Sequence, residues 1–176
     1  MTTSPNSPSP PGGGGAGERV NLRFLLQHPA HLVAFGFGSG LAPKAPGTVG
    51  TLLGLPLFWL IEAAAPDLAN RLVLVVAAFL FGIWACGRTG RALGVADHGS
   101  MVWDEIVAYA LVLLFTPPGW LWIALAFALF RLFDILKPWP IRLVDRRLKN
   151  GFGVMFDDLL AAGYAIASIK GLQWLV

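Results

Sequence analysis

The sequence predicts an all-α protein, a compact helical bundle held in a membrane by several short embedded helices. Hydrophobic residues make up 56% of the 176 residues and charged residues only 13%, whereas soluble domains carry about 25% charged residues. No stretch sustains the alternation of apolar and polar residues that marks a half-buried strand. The alternative is a soluble protein with a wholly buried helical core, because each apolar stretch is short.

Residues 1–20 are predicted to form a disordered cytoplasmic tail. They are rich in Ser, Pro and Gly and contain almost no apolar side chain, so they cannot bury enough apolar surface to become ordered. They also lack the basic start and apolar run of a secretory signal. Residues 21–176 are predicted to form a single helical domain, since this length suits one domain.

The remaining elements follow in order along the chain. A short helix is predicted over Leu22–Gln27, or from Pro29 to about Phe35, and a loop over Gly36–Thr51, because its glycines and prolines disfavour regular structure. Apolar stretches of about 10–18 residues come next, slightly short of the ~20 needed for a perpendicular membrane crossing. We expect three to five embedded helices from these stretches, which are 52–65, 72–86, 106–115, 119–130 and 159–176.

Several polar or reactive residues are assigned no chemistry. Cys86 is the only cysteine, which excludes an internal disulfide, and we interpret it as a small buried side chain. The three histidines, His28, His31 and His98, lack the close spacing of metal ligands and are interpreted as loop or surface residues. Glu62 and Asp67 are expected to serve only at helix ends or in a turn.

A basic patch lies near the end of the chain, within eight residues. Such a patch suits the anionic headgroups of a membrane surface. Nucleic acid is not expected as a partner, because the chain is too apolar. The patch consists of Arg142, Arg146, Arg147 and Lys149.

Five of the ten carboxylates lie in three short motifs inside apolar sequence. An ionised carboxylate in apolar surroundings is costly unless a cation or a hydrogen-bond donor compensates it. Three such placements suggest one shared cation, and oxygen ligands suit Mg²⁺, or else Mn²⁺. The candidate metal ligands are Asp104, Glu105, Asp134, Asp157 and Asp158.

Simpler roles for these acids remain open. Asp104 and Asp157 each precede an apolar helix, so each could be a helix N-cap. Adjacent side chains on a helix diverge by about 100°, so we expect each acid pair to give one ligand and one supporting residue.

Cationic residues accompany the acids. Arg131, Asp134 and Lys137 recur at every third position and are predicted to share a helix face that Pro138 ends. The alternative is an intrahelical salt-bridge ladder. In the Gly/Pro segment, Lys44 and Thr48 offer a charge and a hydroxyl, and Gly47 lets backbone N–H groups approach an anion. Together these groups predict a cation held against a phosphate.

These motifs resemble those of the phosphatidylglycerophosphatase A family. The similarity rests on the segment Leu41–Gly50, the pair Asp104-Glu105, the segment Phe130–Ile141 and the segment Gly153–Asp158. It implies a Mg²⁺-dependent phosphatase of the bacterial inner membrane, with its site facing the cytoplasm, that converts phosphatidylglycerophosphate to phosphatidylglycerol. Thr51 stands where the resemblance leads us to expect serine, which keeps the hydroxyl.

Specific roles are expected on this basis. Asp134 and members of both acid pairs would hold one or two Mg²⁺ ions, and Asp158 could accept the proton of the attacking water. The phosphoryl oxygens of the anionic lipid substrate would be bound by Arg131, Lys137, Lys44, Gly47 and Thr48. A non-catalytic membrane protein whose acids line an ion path, or a phosphatase for another lipid phosphate, is the alternative function.

Overall fold

The structure is a computed structural model that describes residues 20–175. This part of the chain contains α-helices, one short 3₁₀ helix and no strand, which confirms the all-α class. The predicted N-terminal tail lies outside the described residues except for Val20. The helices are α1 (Leu22–Leu26), α2 (Pro29–Ala34), the 3₁₀ helix (Gly36–Leu41), α3 (Pro46–Ala64), α4 (Leu68–Leu93), α5 (Trp103–Leu114), α6 (Trp120–Leu136), α7 (Ile141–Arg147) and α8 (Gly151–Leu175).

Three helices are long and apolar enough to cross a membrane, namely α3, α4 and α8. They carry large apolar side chains such as Leu60, Val73 and Leu80 that are more than half exposed, as expected for surfaces that face hydrocarbon rather than water. The shorter α5 packs against α3, α4, α6 and α8. Because α5 is the central helix, the acids in its first turn are enclosed by protein.

The segment predicted as a loop is partly helical. Both predicted first helices form, as α1 and α2, and the 3₁₀ helix follows with positive φ at Gly36, Phe37 and Gly38. Helix α3 then begins at Pro46, where a missing N–H costs nothing because the first N–H groups of a helix have no intrahelical acceptor. The prediction of a loop as far as Thr51 was therefore wrong.

Glycines bring α3 close to α5. A Cβ atom at Gly50 would press on the side chain of Val102, and one at Gly54 would lie 2.8 Å from the carbonyl oxygen of Ile106. Small residues at such positions let two helix backbones approach each other. The first turn of α3 is thereby placed beside the first turn of α5.

A second close crossing joins α4 to α8 at Gly151. A Cβ atom there would overlap the carbonyl oxygen of Ile83 and the backbone of Gly87. We predict that Gly151→Ala lowers the free energy of unfolding by about 1–3 kcal/mol, the usual cost of overpacking. Thermal unfolding in detergent measures this change.

Gly163 in the same helix is the matched control, because a Cβ atom there would meet nothing within 4 Å. Gly163→Ala should be neutral, or stabilising by up to about 1 kcal/mol, since Ala is the better helix former. Equal melting temperatures for the two variants would show that α4 and α8 do not meet closely at Gly151.

Among the residues to which no chemistry was assigned, the structure confirms some interpretations and contradicts one. Cys86 is fully buried, as expected. His31, however, is buried in α2, and its Nδ1 lies 3.0 Å from the hydroxyl oxygen of Thr89, so the surface assignment was wrong for this residue. His28 accepts a hydrogen bond from Ala30 N at the start of α2. Asp67 likewise caps α4 by accepting from Asn70 N.

Candidate metal and phosphate site

The acidic motifs meet at one end of the bundle. Three carboxylates from two helices converge there: Asp104 and Glu105 in the first turn of α5, and Asp158 from α8. One oxygen from each lies within 4.8 Å of the other two. Asp104 is 7% exposed and Asp158 is 3% exposed. We call these three residues the carboxylate cluster.

The carboxylate cluster fits a divalent cation. Each of its members has one buried oxygen without a hydrogen-bond partner among residues 20–175: Oδ1 of Asp104, Oε2 of Glu105 and Oδ2 of Asp158. Three ionised carboxylates this close together repel one another, and burial adds a desolvation cost. A hard cation that takes oxygen ligands would remove both costs.

The capping interpretation of these acids was wrong. Val102 is the N-cap residue of α5, so Asp104 lies inside the first turn. Helix α8 begins at Gly151, which leaves Asp157 in its second turn. The two pairs also differ from each other, because both members of the first pair face the carboxylate cluster. In the second pair, only Asp158 does so.

Arg131 lies between Asp134 and the first turn of α3. Its Nη1 is 2.5 Å from Oδ2 of Asp134, 3.6 Å from Oε1 of Glu105 and 3.5 Å from the hydroxyl oxygen of Thr51. Its buried Nε has no partner within the described part of the chain. Arg131 is therefore oriented by two acids while keeping a free donor.

No role was predicted for Thr51 from the sequence, which showed only that it keeps the hydroxyl of the expected serine. It is fully buried, and that hydroxyl donates to the carbonyl oxygen of Gly47 at 2.8 Å. A Cβ atom at Gly47 would overlap Oε1 of Glu105 and lie 3.2 Å from Nη1 of Arg131. Only glycine lets the α3 backbone come this close to both side chains.

The first turn of α3 offers fewer donors than predicted. The N–H of Thr48 already donates to the carbonyl oxygen of Ala45 at 2.9 Å, whereas in residues 20–175 the N–H of Gly47 has no backbone acceptor. The positive end of the helix dipole adds to the attraction of an anion at this position. Lys44 is exposed and makes no ion pair with any described residue, so the structure does not bring it to the cluster.

Lys137 does not share a helix face with Arg131 and Asp134. Helix α6 ends at Leu136, and Lys137 follows in the left-handed conformation at φ +44°. This turn sends its ammonium away from Asp134, so only the Arg131–Asp134 half of the alternative salt-bridge ladder forms.

The ammonium of Lys137 is held by two acids. Nζ lies 2.5 Å from Oδ2 of Asp157 and 3.1 Å from Oδ1 of Asp145. Burial acts to lower the pKa of Lys137, but hydrogen bonds and charge pairing with these acids outweigh it, so the pKa is raised. Asp145 also lies 3.6 Å from Nζ of Lys149. Asp145 was not predicted as a site residue, although it is the only acid within the basic patch.

Similarity to known proteins decides the family. The sequence model of phosphatidylglycerophosphatase A matches residues 32–173. This chain belongs to the phosphatidylglycerophosphatase A family. The family and the enzyme class, a phosphoric monoester hydrolase, are those predicted from the motifs.

Individual relatives agree with the family. The phosphatidylglycerophosphatase A of Haemophilus influenzae is 48% identical over 153 residues, which cover 86% of this chain and 93% of the relative. That of Escherichia coli is 43% identical over 140 residues, covering 79% and 80%. A Bacteroides thetaiotaomicron protein with the provisional name phosphatidylinositol-3-phosphatase is 40% identical over 152 residues, covering 82% and 94%. No solved structure is significantly similar to the chain.

Proposed function

We propose that this protein hydrolyses phosphatidylglycerophosphate to phosphatidylglycerol and phosphate, with Mg²⁺ or Mn²⁺ as its cofactor. The observation that carries the proposal is a buried carboxylate cluster with free oxygens beside an arginine with a free donor. Such a site can hold a cation and a phosphate together. The names of two relatives support the lipid substrate.

The roles of the acids follow from their partners. Asp104, Glu105 and Asp158 would bind the metal, which when bound polarises the phosphate ester and lowers the pKa of an attacking water. Asp134 and Asp157 were also predicted as ligands. Their ion pairs with Arg131 and Lys137 instead suit them to orient the two cationic side chains.

The phosphoryl oxygens would be bound by groups around the first turn of α3 and, from the other side of the site, by Lys137. Arg131 offers its free Nε, Gly47 its backbone N–H, and Lys137 the third N–H of an ammonium whose other two serve Asp157 and Asp145. These donors stabilise the charge that develops on the phosphoryl group. Asp158 would accept the proton of the attacking water through the carboxylate oxygen that does not bind the metal.

We further propose that the site end of the bundle faces the cytoplasm in the bacterial inner membrane. Among the described basic residues, only Arg71 and Lys170 lie toward the opposite end, and all others lie on the site side. Cytoplasmic segments of membrane proteins carry the excess of Lys and Arg. Cysteine introduced at Arg147 should react with an impermeant maleimide only from the cytoplasmic side, whereas reaction from the periplasm would reverse the orientation. Because native Cys86 is buried, background labelling should be low.

A substrate panel tests the proposed activity. Purified protein with Mg²⁺ should release phosphate from phosphatidylglycerophosphate faster than from phosphatidic acid or phosphatidylinositol 3-phosphate. EDTA should stop the release and added Mg²⁺ should restore it. Preference for the inositol lipid would favour the activity named for the Bacteroides relative, and inertness toward every lipid phosphate would favour a non-catalytic role.

A further inference from the structure

A second group of acids already contains a cation, and it is linked to the carboxylate cluster because Asp157 precedes Asp158 in α8. Asp157 from α8 and Asp145 from α7 both contact Nζ of Lys137, at 2.5 and 3.1 Å. Lys149 adds a second ammonium at 3.6 Å from Asp145. We call Asp145, Asp157, Lys137 and Lys149 the lysine-filled group.

The charges of the two groups differ. In the lysine-filled group, two carboxylates contact two ammonium groups. The neighbouring acid Asp97 forms no ion pair among residues 20–175, and Oδ1 of Asp157 has no hydrogen-bond partner there. The three carboxylates of the carboxylate cluster share one cationic contact, between Glu105 and Arg131 at 3.6 Å. Arg131 itself lies closer to Asp134, at 2.5 Å. Among residues 20–175, the larger excess of buried negative charge therefore lies in the carboxylate cluster, and that is where a divalent cation would relieve most of it.

The position of Lys137 is fixed by the backbone. It follows the end of α6 in the left-handed conformation, and its Nζ then lies between residues from two other helices. Its ammonium occupies the place between Asp145 and Asp157 that a second metal ion bound by these acids would need.

We infer that the Lys137 ammonium substitutes for a second metal, so that each chain binds one divalent cation and not two. This inference depends on the proposed function only in taking the carboxylate cluster as the metal site. Two-metal phosphatases use a second ion to stabilise the attacking and leaving oxygens. Here a lysine would supply the second positive charge, with one N–H left for the phosphoryl group.

Mn²⁺ stoichiometry tests the inference without any measurement of activity. Equilibrium binding of Mn²⁺ to the purified full chain, followed by EPR of the free ion, should give one ion per wild-type chain. Lys137→Met removes the ammonium while keeping a long side chain, and should raise the stoichiometry to two. Lys149→Met is the matched control, since it removes the outer ammonium of the same group and should leave one ion.

Three outcomes would overturn the inference. Two ions on the wild-type chain would show that Lys137 does not replace a metal. One ion on both the wild type and Lys137→Met would show that the ammonium does not fill a metal position, and no ion on the wild type would remove the metal site itself. One bound ion on a protein inert toward lipid phosphates would instead contradict the proposed function and leave this inference intact.

Discussion

Replacing Asp158 by Asn should lower kcat for lipid-phosphate hydrolysis by about 1,000-fold. Asp158 is the only member of the carboxylate cluster contributed by α8. It is only 3% exposed and lies next to the two acids of α5. An amide has the same shape but carries no charge to bind a cation. Metal assistance contributes several kcal/mol to phosphoryl chemistry, and each 1.4 kcal/mol corresponds to a factor of ten in rate. Phosphate release at saturating lipid measures the effect.

Asp67→Asn is the control for this variant. Asp67 caps α4 at the opposite end of the bundle, and Asn caps helices as well as Asp does, so wild-type turnover is expected. In the absence of metal, Asp158→Asn should also melt at a higher temperature than the wild type, because a buried unpaired charge has been removed. A variant that kept more than a tenth of wild-type kcat would exclude Asp158 from the metal site.

Arg131→Lys should lower kcat/KM by about 100-fold, although the charge is kept. The guanidinium contacts Asp134, Glu105 and Thr51 with one nitrogen and still presents Nε. The donors of a guanidinium are spread over three nitrogens in a rigid fork, whereas those of an ammonium lie on one nitrogen. Lysine therefore cannot contact the acids and a phosphoryl oxygen with the same geometry. The loss of one oriented donor to developing charge costs about 100- to 1,000-fold.

Arg142→Lys provides the comparison for Arg131. Arg142 is exposed on α7 and makes no ion pair with any residue between 20 and 175, so its replacement should change kcat/KM less than twofold. Steady-state kinetics in mixed micelles at fixed surface concentration of lipid separate the two variants. Similar kcat/KM values for both would mean that Arg131 does not bind the phosphate.

The sequence predicted the residues of the site better than their arrangement. Acids inside apolar sequence must be compensated wherever the chain folds, so their sequence context pointed to five candidate acids. The structure brings Asp104, Glu105 and Asp158 of these together. Which acid pairs with which cation depends on where helices end. Spacing placed Lys137 on the face of Asp134, but α6 stops one residue earlier and turns the ammonium toward Asp157.

Other features that were not predicted also depend on contacts between parts of the chain that are distant in sequence. The partner acid Asp145 arrives on α7, and no local pattern links it to Lys137. Glycine serves both tight turns and close helix contacts, so the sequence could not tell that Gly47 and Gly50 lie inside α3. The burial of His31 depends on its hydrogen bond to Thr89, 58 positions away.

In the proposed site, one cation is held directly against one phosphate. Pulsed EPR of the Mn²⁺-loaded protein tests it through the hyperfine coupling of the metal to ³¹P of added inorganic phosphate. We expect a resolved ³¹P coupling in the wild type and its loss in Arg131→Ala, while Mn²⁺ remains bound. A bound Mn²⁺ whose spectrum shows no ³¹P coupling at saturating phosphate would contradict it.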